Sequence, residues 1–233
     1  MEVMMRHTRQ VPLRIGHRGA AGHAPENTLL SIETALALGA EVIEIDVHRS
    51  LDGQLIVMHD ERVDRTTNGS GYIRDLTLAQ LQKLEMAARQ RVPTLPEVLQ
   101  AVRGRAALMV EIKVRRIVPE VMRATAEVPE VSVFYASFLH SELLRVRELG
   151  PAAQTIALIE AVPVSFTAFA LEARATHAGL AFESLEPAFV DGLQEAGLYV
   201  FTYTVDAARD IARARSLGVD GLISNFPDRL MPD

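Results

Sequence analysis

EVIEIDVHRS, residues 41–50, interleaves two kinds of residue: Ile43, Ile45 and Val47 alternate with the acids Glu44 and Asp46. Period two is the geometry of a strand, so the apolar trio faces one way and the acids face the other. The run ALMVEIKV at 107–114 repeats the device, with Glu111 and Lys113 sharing a face. Strands of this kind, lining the inside of a barrel, bring their charges together in a confined space. Three carboxylates so placed repel one another and do not all stay ionised without compensation. A bound divalent cation supplies that compensation.

Outward from this run, short apolar stretches alternate with amphipathic ones. The pattern predicts strands at 13–16, 42–47, 107–112, 132–136, 154–159, 180–183, 199–204 and 221–224, with helices at 27–38, 95–102, 119–127, 141–149, 164–177, 188–196 and 207–217. Gly39, Gly104, Gly150, Gly179, Gly197 and Gly218 each follow a predicted helix, as a left-handed C-cap does. Repeated strand–helix units make a parallel sheet. Eight of them in 233 residues predict an α/β fold closed as a (β/α)₈ TIM barrel. An open doubly wound sheet competes, but no GxGxxG turn follows the first strand.

One segment breaks the rhythm. In HRSLDGQLIVMHD, Asp52-Gly53 separates two strand-like runs, a strong hairpin signal. Leu55–Met58 is then a return arm, which brings His59 back to the level of Asp46. The polar stretch from Asp60 to about Pro93, with a short helix near 78–84, reads as an insertion over the top of the barrel. Residues 1–233 are accordingly expected to form a single barrel domain with an insertion at about 49–93.

Composition bounds the function. Hydrophobic residues make up 48% of the chain, ample for a large core, and a formal net charge of −6 disfavours nucleic acid as a partner. Without cysteine there is neither a disulfide nor a thiolate metal site. The first 13 residues lack a signal-peptide core, and no segment reaches membrane-spanning length. The expectation is a cytoplasmic protein without stable membrane insertion, acting on a small molecule; a homo-oligomer stays open.

His17, between glycines at the end of the first strand, sits where barrel enzymes place catalytic side chains. A lone strand-end histidine is usually only a hydrogen-bonded residue, and so is His59 taken alone. Convergence changes that: His17, Glu44, Asp46, His59, Glu111 and Lys113 all map to the C-terminal rim of strands one to three. The acids have an alternative reading as ion-pair partners of Arg18 and Lys113, but burying so many charges for structure alone is rarely favourable. As ligands, three carboxylates suit Mg²⁺ or Ca²⁺, which leaves the two imidazoles for proton transfer. His7, His23, His140 and His177 are set aside, and His48 is expected to be exposed at the rim. Asn27 or Thr28 caps the first helix, Glu26 holds its loop, Tyr203 walls the pocket, and Asn225 closes a turn.

HRGAAGHAPENT (17–28), EIDVHRSLDGQLIVMHD (44–60), DRTTNGSG (64–71), PTLPEVL (93–99), VEIK (110–113), TYTVD (202–206) and GVDGLISNFPD (218–228) together resemble the glycerophosphodiester phosphodiesterase family, in that family's order and over nearly the whole chain. The resemblance implies a barrel with a small insertion, a divalent metal, and hydrolysis of glycerophosphodiesters to glycerol 3-phosphate and an alcohol. It also implies roles: His17 and His59 as the acid/base pair, Glu44, Asp46 and Glu111 as metal ligands, Arg18 and Lys113 near the phosphate. Two departures concern the pocket: Tyr203 stands where the family usually has Trp, and Asn225 where Asp is common. The rivals are a lysophospholipase D-like phosphodiesterase on the same barrel, disfavoured by the polar insertion, and a non-catalytic phosphodiester-binding protein, which would be expected to have lost one of these residues.

Overall fold

The computed structural model describes residues 11–231; His7 lies outside them. Strands β1 (Leu13–Gly16), β2 (Val42–Arg49), β3 (Ala107–Ile112), β4 (Val133–Ser137), β5 (Gln154–Ile159), β6 (His177–Ala181), β7 (Tyr199–Tyr203) and β8 (Gly221–Ser224) pair in parallel in chain order. β1 also pairs with both β8 and β2, which closes the barrel. Around it run α1 (Leu29–Ala37), α2 (Leu95–Val102), α3 (Val118–Ala126), α4 (His140–Leu149), α5 (Ala168–Glu172), α6 (Pro187–Glu195) and α7 (Ala208–Ser216). A 3₁₀ turn at Pro227–Leu230 stands where an eighth helix would.

The alternation of β2 holds around the whole cylinder. Leu13 and Ile15, Val42, Ala107 and Met109, Phe134 and Ala136, Ile156 and Leu158, Phe201 and Tyr203, and Ile223 form one interior cluster. The intervening residues face the helices: Ile43, Ile45, Val47, Leu108, Val110 and Ile112 pack with Ile32 and Ala35 of α1 and with Leu95, Val98 and Leu99 of α2. Burying each such aliphatic side chain contributes about 1.5–3 kcal/mol. α2 begins where Thr94 and Glu97 cap each other reciprocally and Pro96 presets the first turn.

The predicted helix at 164–177 is mostly absent: α5 spans only Ala168–Glu172, and His177 opens β6. The inward residues hid this strand, because His177, Gly179 and Ala181 lack the large aliphatic side chains that mark one, and Gly179 leaves its space to a neighbour. A Cβ on Gly179 would lie 2.5 Å from Leu158 Cδ2, and one on Gly221 2.6 Å from Phe201 Cδ1. Gly179 is therefore a filler site rather than a helix cap. Gly39, Gly104, Gly197 and Gly218 do take the left-handed conformation, whereas Gly150 ends α4 at φ −135°.

His177 lies in the barrel interior against Phe134, Tyr199 and Phe201. Burial pushes its imidazole down to about 4. A histidine held neutral in the fold but free to charge when unfolded costs stability as pH falls from about 6.5 to 4, and nothing further below. His177→Phe should abolish that component, worth about 3 kcal/mol by the same linkage. Urea unfolding at pH 7.5 and pH 4.5 checks it: an unchanged pH slope in the variant would contradict the assignment.

The hairpin is present. Leu55–Val57 runs antiparallel to β2, with Arg49 opposite Leu55 and Val47 opposite Val57, and Gly53 turns the chain at φ 81°. The segment that follows builds its own small core from Ile56, Met58, Val63, Ile73, Leu81, Met86 and Val92. Among the described residues no helix is long and apolar enough to cross a membrane.

Candidate active site

The chemistry of this chain lies one step beyond the interior cluster, in the same inward register. His17 follows Ile15, Glu44 and Asp46 follow Val42, Glu111 follows Met109, Phe138 follows Ala136, Glu160 follows Leu158, and Asn225 follows Ile223. Of these, His17, Glu111, Phe138 and Glu160 line a cavity of about 440 Å³, together with Arg18, His59, Lys113, Ala181, Glu183, Tyr203 and Thr204. A smaller pocket beneath it is lined by His17, Glu44, Glu111 and Tyr203, among others.

Glu44, Asp46 and Glu111 each offer an oxygen within 4.8 Å of the others. Burial, then the charges of Asp46 and Glu111, drive the Glu44 carboxyl well up. Glu111 is pushed up to about 7, by burial first and Asp46 second, against the pull of Lys113. For Asp46 burial also acts upward, but Lys113, Arg18, His59 and Asn27 outweigh it and hold the carboxyl below its usual value. Lys113 Nζ lies 2.7 Å from Glu111 Oε1 and 3.3 Å from Asp46 Oδ1, and Arg18 Nε 3.5 Å from Asp46 Oδ2. Two protein cations thus leave a buried acidic triad under-compensated, with Glu44 and Glu111 both pushed toward their neutral forms. An all-oxygen donor set in that condition fits a hard divalent cation.

The first βα turn is built for this cluster. Gly19, at φ 83°, puts its backbone against Ser31, where a Cβ would lie 2.5 Å from Oγ. A Cβ on Gly16 would lie 2.5 Å from the Gly19 carbonyl oxygen. The two glycines flanking His17 and Arg18 therefore let the turn fold on itself, rather than making room for a ligand. The tightened loop aims the Arg18 N–H at Glu44 Oε2, 2.8 Å away. Thr28 is the helix cap. Asn27, at φ 55° and fully buried, instead donates to Asp46 Oδ2 at 2.8 Å and accepts from the Asp46 N–H at 3.3 Å. Its side chain orients an acid, which the capping signal concealed. Glu26 does hold the loop, between Arg18 and Arg65.

The two histidines converge on the cavity from different elements. His17 Nδ1 lies 2.7 Å from Asn225 Oδ1. The Asn225 amide is oriented by its other end, whose Nδ2 donates to Asp206 Oδ2 at 2.7 Å, so His17 Nδ1 is the donor and Nε2 carries the lone pair. Burial, then the Arg18 charge, lowers the His17 imidazole from its ordinary value. Asn225 thus does more than close a turn. Asp206, which also accepts from Ser224 Oγ and the Asn225 N–H, went unread in TYTVD. His59 Nδ1 sits 2.7 Å from Asp60 Oδ1, and Asp60 is held strongly ionised by its hydrogen bonds to Arg65. His48 is buried, not exposed at the rim: its Nε2 donates to the His59 carbonyl at 3.0 Å and steadies the end of the hairpin. Tyr203 lines the cavity, with its hydroxyl donating to the Ile159 carbonyl at 3.1 Å.

Comparison with known proteins places relatives along nearly the whole chain. The family model for the glycerophosphoryl diester phosphodiesterase family matches residues 17–229. A glycerophosphodiester phosphodiesterase of Caldanaerobacter subterraneus is 35% identical, over 94% of this chain and 96% of its own length. One of Bacillus subtilis is 37% identical, over 93% and 84%. Among solved structures, an Oleispira antarctica phosphodiesterase in complex with the product sn-glycerol-3-phosphate superposes with a TM-score of 0.87 at 26% identity, covering 94% of this chain and 95% of that one.

Proposed function

This chain belongs to the glycerophosphoryl diester phosphodiesterase family, and from that premise we propose that it hydrolyses glycerophosphodiesters to sn-glycerol 3-phosphate and an alcohol, with a divalent cation, Mg²⁺ or Ca²⁺, and a histidine pair. The observation that carries the reading is a buried acidic triad, paired to Arg18 and Lys113 and reaching through Glu111 the cavity that two differently partnered imidazoles also line. Held by Glu44, Asp46 and Glu111, the cation would draw charge from the phosphoryl oxygens.

The protein's own residues do the rest. Arg18 and Lys113 line the cavity and attract the anionic diester. His17, partnered by a neutral amide and disfavoured as an imidazolium, is the ring that takes a proton from the nucleophile through Nε2. His59 faces a carboxylate, the partner that suits a ring with a proton to give, and protonates the departing alkoxide. The nucleophile is water or the glycerol 2-hydroxyl; the latter, already attached to the substrate, enjoys a large effective molarity and would expel the alcohol to leave a cyclic phosphate, which water then opens to glycerol 3-phosphate. Undiminished turnover of a 2-deoxy substrate would exclude it.

Release of glycerol 3-phosphate from several glycerophosphodiesters, with and without EDTA, tests the function; no release from any of them, or release indifferent to chelation, would overturn it. Asn225→Leu should lower kcat by on the order of 10–10²-fold, less than removal of the ring, because Nδ1 loses the acceptor that selects its tautomer. Steady-state kinetics decide: an unchanged kcat would mean that Asn225 does not orient His17.

A further inference from the structure

The cavity is electrically divided. His17, Arg18, His59 and Lys113, the last paired to Glu111, stand on one side, and on the other the ends of β4 to β7 contribute Phe138, Glu160, Glu183 and Tyr203. Glu160 and Glu183 are exposed at the mouth, and neither has a cationic partner among the described residues. Both lie close enough to Tyr203 that, after burial, their charges help to raise its phenol. Phe138 is 40% exposed and meets Tyr203 edge to face at 6.1 Å between ring centres.

The phosphate's negative charge is answered on the cationic side. What remains is a wall of two uncompensated carboxylates and two aromatic rings, a combination that attracts an organic cation through charge and through the faces of the rings. A neutral polyol would gain hydrogen bonds from the carboxylates but nothing from the rings, and an anionic group would be repelled.

We propose that this wall is the subsite for the leaving alcohol, and that it selects a cationic one, choline or ethanolamine, over a neutral one. The proposal rests on the reading of the cavity as a phosphodiesterase site. It gives work to two acids that neither the cation nor the proton transfers use.

The test compares kcat/KM for glycerophosphocholine, glycerophosphoethanolamine and glycerophosphoglycerol in the native enzyme, in Glu160→Gln, in Glu183→Gln and in the double variant. Folding of each variant is checked by thermal melting. The native enzyme should favour the two amine substrates about tenfold, and the double variant should lose that ratio. Raising the salt concentration should also shrink it, because the carboxylates are exposed. A native enzyme that treats all three headgroups alike overturns the subsite and leaves the phosphodiesterase reading intact. So does a double variant that slows all three equally, since the acids then serve the glycerol end. If the native enzyme releases glycerol 3-phosphate from none of them, the phosphodiesterase reading fails and the subsite falls with it.

Discussion

His17→Ala lowers kcat by about 10²–10⁴-fold, the range for losing a positioned proton-transfer group, and His59→Ala falls in the same range. Neither loss should unfold the protein, because both rings reach the cavity from its edge and the barrel interior packs without them. The two variants should nevertheless differ in kind. Shortening His17 strips the proton acceptor, so a substrate with a good leaving group, such as a nitrophenyl ester of glycerol phosphate, rescues it little. Shortening His59 strips the donor to the leaving group, and that same substrate needs no donor. Rescue of His59→Ala but not of His17→Ala therefore supports the assignment of base and acid. The reverse pattern would exchange the two roles, and near-normal turnover in either variant would remove that residue from the mechanism.

Glu44→Gln separates cation binding from stability. Burial and the neighbouring acids drive Glu44 toward its neutral form, so an uncharged amide costs the cation-free protein little, and its carbonyl can still accept from the Arg18 N–H. The cation loses one of three anionic ligands. Removing a mere supporting partner weakens a metal site 10–100-fold, so loss of a direct ligand should cost on the order of 10²-fold or more in affinity. In melting experiments the native enzyme, with the cation at a hundred times its Kd, gains about 2.7 kcal/mol. The variant should gain little of this, yet melt no lower than the native protein in EDTA. A variant with normal cation affinity would remove Glu44 from the ligand set. One that is badly destabilised in EDTA would mean that the carboxylate serves the fold instead.

The acidic cluster was legible because strand alternation is local. Once Ile43, Ile45 and Val47 are assigned to the outside of the barrel, Glu44 and Asp46 have nowhere else to point, and the same holds for Glu111. The return of His59 was legible from Asp52-Gly53, a turn with few alternatives. What stayed hidden depends on contacts far apart in the chain or on space rather than side chains. Asn225 is 208 residues from the ring it holds. Asn27 looked like a helix cap because asparagine before a helix usually is one, and only the fold brings Asp46 within 2.8 Å of it. β6 was misplaced because its interior positions are His177, Gly179 and Ala181, with Gly179 left empty for Leu158, so no large aliphatic side chains alternate there to mark a strand.

The hairpin divides the machinery between two hydrophobic cores. The carboxylates ride on the rigid staves of the cylinder, whereas His59 rides on an outrigger with its own seven-residue keel, lashed to the hull by the Met58 N–H to the Asp46 carbonyl and by Arg65 to Glu26. Slackening that keel, as Ile73→Ala would, lets the proton donor wander while the ion's berth stays intact. Turnover and ion affinity can therefore drift apart in this scaffold, and a lineage could retune its speed through residues remote from both.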